Sequence, residues 1–593
     1  MNLKYRSSFG INGWFGHNRS YNQVYALANL SRRAKDRVTQ SMYQGISYTW
    51  TNTLTYDFKI NHHKINLLAG TEMLKNELST SMEASKSGSA FGLPEYAYLY
   101  NVQNVETIGD ISATGRDWAA QGGGLMSYMG RASYNFKEKY MLDITFRADG
   151  SSNFAPDNRW GYFPSVSTGW IFTEEDFMQS ADWITFGKLR ASWGQNGNQS
   201  ISNFIYTSNI NYLSRGYYFG ADKLVSSSTS IPSNIPNPDV KWETSEQLNI
   251  GLDANFLDSR LGLNLDWYKK TTKDWLVIAP ILGTFGADAP YINGGDVENK
   301  GYEMMLSWNE RKTSFKYGIS LSGAHNKNKV TRLANAEGII HGETDVLAQG
   351  TAYVSRVEVG QPIGYFYGYK TDGIFQNNAE VNAYVTADGD PIRVGSEMDT
   401  PRRPGDVRFV DQNGDGVINE TDKVKIGTPH PDFELGIQLN AEFKGFYANT
   451  TLAGKFGMQV MQSYRDFSGS PMQNFSTSVF NRWHGEGTSN TQPRLSAVAN
   501  ANSNYISDIY LHDADFLRVN NLTVGYKLDR ILNSVDWMQA ASVYVSVNNL
   551  YTFTKYDGMD PEVGYGPDSW SSGIDLGLYP LPRTVMLGVN VTF

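Results

Sequence analysis

The chain has no cysteine, so it carries neither a disulfide framework nor a thiolate metal site. Charge is scarce: only 19% of its 593 residues are Asp, Glu, Lys or Arg. The net charge of −9 gives no basic surface for nucleic acid. No apolar run approaches the ~18 residues of a membrane-crossing helix. The best candidate, Trp275 to Ile281, is far too short. G-x-S-x-G, H-E-x-x-H and G-K-S/T are also missing, which removes the commonest motif-bearing hydrolases and nucleotide-binding enzymes. Paired acids such as Asp388 and Asp390 are ordinary turn residues, and spacing alone does not make an acid and a base. The sequence predicts no enzyme and no organic cofactor.

What is abundant is alternation. In the final run, Val585, Leu587, Val589, Val591 and Phe593 share one face, and Thr584, Met586, Gly588, Asn590 and Thr592 share the other. Successive side chains of a strand point to opposite faces. About sixteen stretches of roughly ten residues behave this way, which predicts an antiparallel transmembrane β-barrel with its apolar face toward lipid. Aromatics reach 13%, with 36 Tyr and 14 Trp, as two interfacial girdles require. The negative mean hydropathy is compatible, since a barrel strand is only half apolar. Tight turns are expected at 137–139, 257–260, 309–313 and Lys444-Gly445. Long connections are expected at 76–122, 195–240, 271–294, 326–431, 458–514 and 553–582. This alternation of short and long joints matches periplasmic turns and extracellular loops. No 20–50-residue repeat supports a propeller or solenoid.

Several stretches resemble the SusC-like, TonB-dependent outer-membrane transporters of the Bacteroidetes type. They are Arg147 to Phe154 continuing through Asn158 to Ser165, Lys241 to Asp253, Val297 to Glu303, Phe516 to Thr523, and Pro582-Arg583 before the last strand. The resemblance implies the plugged outer-membrane transporter fold, a barrel of about 22 strands around an N-terminal plug. Residues 1–593 would then be a partial barrel supplying about sixteen C-terminal strands. Met1 is followed directly by strand-like residues, without a signal peptide. Secretion therefore implies that Met1 is not the natural start, and a fragment of this kind is expected to be incompetent in transport by itself. The resemblance further implies active import of a glycan, oligosaccharide or peptide, a SusD-like surface lipoprotein as partner, and coupling to the TonB complex through the upstream region. A passive porin or surface ligand-binding barrel is the alternative; a soluble secreted β-sandwich is a third reading.

One motif has a mechanism of its own. Asp411 to Asp422, inside the extracellular connection 326–431, fits the twelve-residue calcium loop. Asp411, Asn413 and Asp415 would supply side-chain oxygens, Val417 its carbonyl, and Asn419 a water-mediated contact. Gly416 permits the sharp turn. Asp422 stands where Glu is usual, so its reach is shorter. The expectation is a Ca2+ ion that stiffens the loop; a solvated Asn-Gly/Asp-Gly turn needs no ion. His62-His63 and Trp483-His484-Gly485-Glu486 read as a solvated pair and as loop packing. Tyr212, Tyr217, Tyr218 and Phe219, with Tyr365, Phe366 and Tyr367, are flat rings able to stack on a sugar or pack loop to loop. No individual ligand-binding residue is assigned.

Overall fold

The structure is a computed structural model that describes residues 2–26, 32–33, 35–88, 92–102, 111–116, 123–208, 210–219, 225–232, 234–278, 286–335, 337–342, 353–395, 402–463, 475–496, 501–528, 538–563 and 572–593. It is an all-β chain of antiparallel strands that divides into two units. The first comprises residues 1–169, 192–246 and 272–294; the second comprises 170–191, 247–271 and 295–593.

In the first unit the strands Asn2–Asn22, Arg37–Ile60, His63–Ser87, Gly124–Phe136 and Tyr140–Ser151 pair in succession. Register keeps the two faces apart. Leu3, Tyr56, Leu67, Ala132 and Ile144 form one cross-strand row. Asn2, Asp57, Asn66, Ser133 and Asp143 form the neighbouring row on the opposite face.

The second unit repeats this over more strands. Tyr291–Glu310 (whose first four residues belong to the first unit), Phe315–Leu333, Phe433–Phe443, Phe446–Phe456, Phe516–Lys527, Ala540–Thr554 and Thr584–Thr592 pair in order. Trp308, Ile319, Leu439, Thr450, Leu522, Val547 and Val585 make a mostly apolar row. One residue along, on the other face, runs Ser307, Ser320, Gln438, Thr451, Asn521, Asn548 and Thr584. A one-residue slip anywhere would put hydroxyls and amides among the aliphatics, so both faces hold the register.

The tight turns fall where expected, at 137–139, 257–260, 311–314 and 444–445, and a further one joins Arg37–Ile60 to His63–Ser87 at 61–62. Lys444 and Gly445 both have positive φ, 48° and 94°, which suits a two-residue hairpin whose twist matches its strands. The strands themselves correct the expectation of about ten residues. Arg37–Ile60 and His63–Ser87 have 24 and 25, so residues 76–87 are strand rather than loop. Their alternation of Ser, Thr, Glu and Lys is too polar to have marked them as a membrane stretch, yet the ladder continues.

The well-buried cores lie mainly away from the two-faced strands. Among the largest fully buried side chains are Tyr365, Phe366, Phe375, Phe409, Ile418, Met461, Tyr510 and Ile574, all in the long connections of the second unit. The strand rows are instead exposed: Val585, Leu587 and Val589 are 66%, 82% and 63% accessible. Exposed aliphatics in registered rows are what a lipid-facing surface requires, and a water-soluble sheet would cover them.

Candidate functional site

In the second unit the long connections co-fold into a domain. Ile339–His341, Ser355–Glu358, Tyr365–Gly368 and Val424–Gly427 form a four-stranded sheet. Gln459–Gln462 pairs with Leu511–Asp513 and Ile574–Asp575, joining three distant segments. Val354, Phe366, Met461, Ile506, Tyr510 and Ile574 close one apolar cluster, and Tyr369, Val394, Val407, Phe409, Ile418 and Ala501 a second. Polar ties secure them. Buried Asn502 accepts from the Val407 N–H at 3.0 Å and donates to Asp406 at 3.1 Å. Arg494 pairs with Asp406 at 2.8 Å. The long connections thus form a frame with its own core and polar ties.

This decides between the two roles open to the aromatics. Tyr365 and Phe366 are interior, and the Tyr365 hydroxyl donates to Glu358 at 2.5 Å. Burial, then that hydrogen bond, pushes the Tyr365 pKa well above its ordinary value. Tyr367 is half-buried beneath the Arg356 guanidinium, 4.3 Å from its ring centre. These three rings pack loop to loop. Tyr212, Tyr217, Tyr218 and Phe219 lie in the Ile210–Phe219 strand, paired with Val225–Pro232, but their side chains fall outside the described residues. His341 packs tilted against Tyr353, ring centres 4.8 Å apart; burial, then Arg356 and Lys423, lowers its pKa.

The structure places the Asp411–Asp422 segment in this domain. Asp411 accepts the Gly414 and Gly416 N–H groups at 2.7 and 2.8 Å. Asn413 accepts from the Asp415 N–H, and Asp415 from the Val417 N–H, at 3.0 and 2.8 Å. Gly416, at φ 81°, makes the sharp turn. Asn419 donates to the Val417 carbonyl at 3.0 Å. Asp422 is fully buried, and its two oxygens accept from Gln412 and Asn419, both at 2.8 Å. It closes the loop by capping backbone donors. The donor set is chemically right for a hard cation, but among the described residues no three His, Asp or Glu side chains gather as a metal cluster.

The remaining candidates have structural work. His63 contacts the Tyr134 hydroxyl at 2.8 Å. The Glu486 carboxylate accepts from Asn377 at 2.7 Å, and Trp483 lies against Gly405, where a Cβ would come within 2.4 Å of its ring.

The sequence did not single out the ion networks on the polar face. Arg147 bonds Asp149 at 2.8 Å, Ser127 at 2.9 Å and Glu72 at 3.2 Å. In the second unit Arg190 grips Asp253 through two nitrogens at 2.7 and 2.9 Å and Asp266 at 2.9 Å. Gly251 leaves room for that guanidinium, since a Cβ there would meet Arg190 at 2.7 Å. Arg147 and Asp149 sit in one of the family-like motifs, but their ties to Ser127 and Glu72, and those of Arg190 to Asp253 and Asp266, are made by strand register, which no local pattern reveals.

The family-like motifs also meet in space. Within the first unit Trp242 packs tilted against Phe154 at 5.2 Å and edge-on against Phe163 at 5.4 Å. Asn153 reaches the carbonyls of Gln199 and Ile201, and Glu243 accepts from Asn198 and from the Leu276 N–H. In the second unit Arg518, nearly inaccessible, is held by Asp560 at 2.5 Å and Glu562 at 3.1 Å. These motifs build the frame; no ligand-facing role is needed to explain them.

A two-faced antiparallel wall carrying a folded loop domain is the signature of an outer-membrane receptor barrel. The chain belongs to the TonB dependent receptor-like β-barrel family, whose model matches residues 1–414. Such barrels reside in the bacterial outer membrane. It is 31% identical over 559 residues to TonB-dependent receptor P3 of Formosa agariphila, covering 91% of this chain and 52% of that protein. It is 31% identical over 481 residues to TonB-dependent receptor SusC of Bacteroides thetaiotaomicron, covering 79% and 44%. The chain thus spans about half the length of the curated relatives it matches. The fold is also that of the RagAB peptide transporter, with a TM-score of 0.78 at 21% identity, covering 100% of this chain and 60% of that one.

Proposed function

We propose that this chain is the barrel portion of a SusC-type importer that takes up a glycan, oligosaccharide or peptide across the outer membrane. About sixteen strands of a larger plugged barrel would come from these residues, with the plug and the TonB-contacting segment upstream. A SusD-like surface lipoprotein would deliver ligand to the loop domain. The role is non-enzymatic. The observation that most supports this reading is the loop domain itself: segments up to 137 residues apart are tied by the Thr371–Asp508 hydrogen bond into a frame with its own core. A simple diffusion pore has no use for so much ordered external structure. The likeness to SusC and to the fold of a peptide transporter supports it independently. We also propose that the Asp411–Asp422 loop binds Ca2+.

The test is uptake of labelled oligosaccharide and oligopeptide pools by cells carrying the full-length gene. Accumulation should stop when TonB is deleted or the proton-motive force is collapsed. Uptake that persists at the same rate without either would favour the passive porin instead.

A further inference from the structure

The outward face of the second unit changes character along Phe315–Leu333. At the turn end Phe315, Phe443, Phe446 and Tyr526 form a registered aromatic row. Ten residues further along, Tyr302 and His325 pair at a ring separation of 5.2 Å. About ten residues at ~3.3 Å, tilted by ~40°, rise ~25 Å, the height of an outer-membrane apolar band. The two aromatic rows therefore mark its edges.

Directly beyond the second edge the same face turns basic. Lys300 lies opposite Lys327, and Glu298 opposite Lys329. Lys269 joins them through its 2.8 Å contact with Glu298. Four lysines thus neighbour one glutamate on this face, with Lys269 in contact with its carboxylate, in a chain whose net charge is −9. Lys300, Lys327 and Lys329 are exposed, and among the described residues none has a carboxylate within 4 Å. Like-charged residues directly opposite in a ladder repel one another, so Lys300 and Lys327 weaken the sheet unless an anion lies between them. Lysine stems can lie along an apolar face while their charged heads reach the headgroup level.

We propose that Lys269, Lys300, Lys327 and Lys329 form a docking surface for the phosphate groups of an anionic outer-leaflet lipid. The lipid's acyl chains would run down the apolar rows beside Leu306 and Leu321, which pair in register below. A free anion could satisfy the charges but would make no use of that adjoining apolar surface.

The test uses the full-length receptor in phosphatidylcholine nanodiscs, titrated with bis-phosphorylated lipid A and with its dephosphorylated form. The phosphorylated form should bind more tightly, and that preference should shrink at about 0.5 M salt. Lys300→Gln, Lys327→Gln and Lys329→Gln should each weaken it roughly fivefold, the effect of one surface lysine on an anionic headgroup. Lys312→Gln, beyond the other aromatic edge, should leave it unchanged. Equal binding of the two lipids would overturn the proposal, as would competition by inorganic phosphate matching that of the lipid. The salt response of the unsubstituted protein decides the matter even where a variant fails to fold.

Discussion

Trp242 donates its indole N–H to the backbone carbonyl of Arg159 at 2.9 Å, across 83 positions of sequence. The bond ties the two most conspicuous motifs of the chain, and the Trp242 ring packs against Phe154 and Phe163. Trp242→Ala should therefore cost ~3–5 kcal/mol, the usual loss for a buried large aromatic. Trp242→Phe keeps most of the packing and should lose only about 1 kcal/mol with the hydrogen bond. Urea titration of the folded, heat-modifiable form measures both. Equal losses would mean that the hydrogen bond, not the ring, carries the contact.

Arginine placed along Phe433–Phe443 should report which face meets lipid. Leu439→Arg sits in the apolar row and should cost ~2–4 kcal/mol at mid-depth. Gln438→Arg, in the Ser320–Thr451 row, should cost little. Refolding yield into lipid vesicles is the readout. Comparable tolerance at both positions would contradict the assignment of faces.

The loop domain should loosen in acid through His341. Its folded pKa is depressed by burial, then by Arg356 and Lys423, so the unfolded loop binds the proton more readily. Stability from the neutral ring is complete above the unfolded value of about 6.5 and is lost as pH falls through the lower folded value. Limited proteolysis of the 339–427 region should accelerate between neutral and mildly acid pH. His341→Gln should flatten that dependence.

How much of this was legible beforehand follows from range. Leu435, Ile437 and Leu439 announce their strand by alternation, and Lys444-Gly445 its turn, because both signals lie within a few residues. The extension of His63–Ser87 was hidden by its polarity. The loop core was hidden for another reason: Phe366, Met461 and Ile574 belong to three separate connections, each too irregular for a period. Arg190 with Asp253 and Asp266 was equally invisible, since sequence alone does not fix which strands lie side by side.

The Asp411–Asp422 loop allows its two readings to be separated, because its acids do different jobs. Asp422 is buried and satisfies the Gln412 and Asn419 N–H groups whether or not a cation is present. Asp422→Ala should thus destabilise the loop domain by ~1–3 kcal/mol in chelator as well as in calcium, the cost of orphaned buried donors. Asp411 and Asp415 are the more accessible acids; Asp411 accepts only neighbouring backbone N–H groups, and Asp415 accepts the Val417 N–H and the Asn413 side-chain amide. Asp411→Ala and Asp415→Ala should abolish calcium binding measured by calorimetry on the intact protein, with a parent Kd of about 10⁻⁴–10⁻³ M as in extracellular modules. Magnesium should bind more weakly, since this loop offers flexible oxygens and no rigid octahedron. If the parent protein takes up no heat at millimolar calcium, while Asp422→Ala still loosens the domain, the segment is a self-capped turn and the calcium proposal fails.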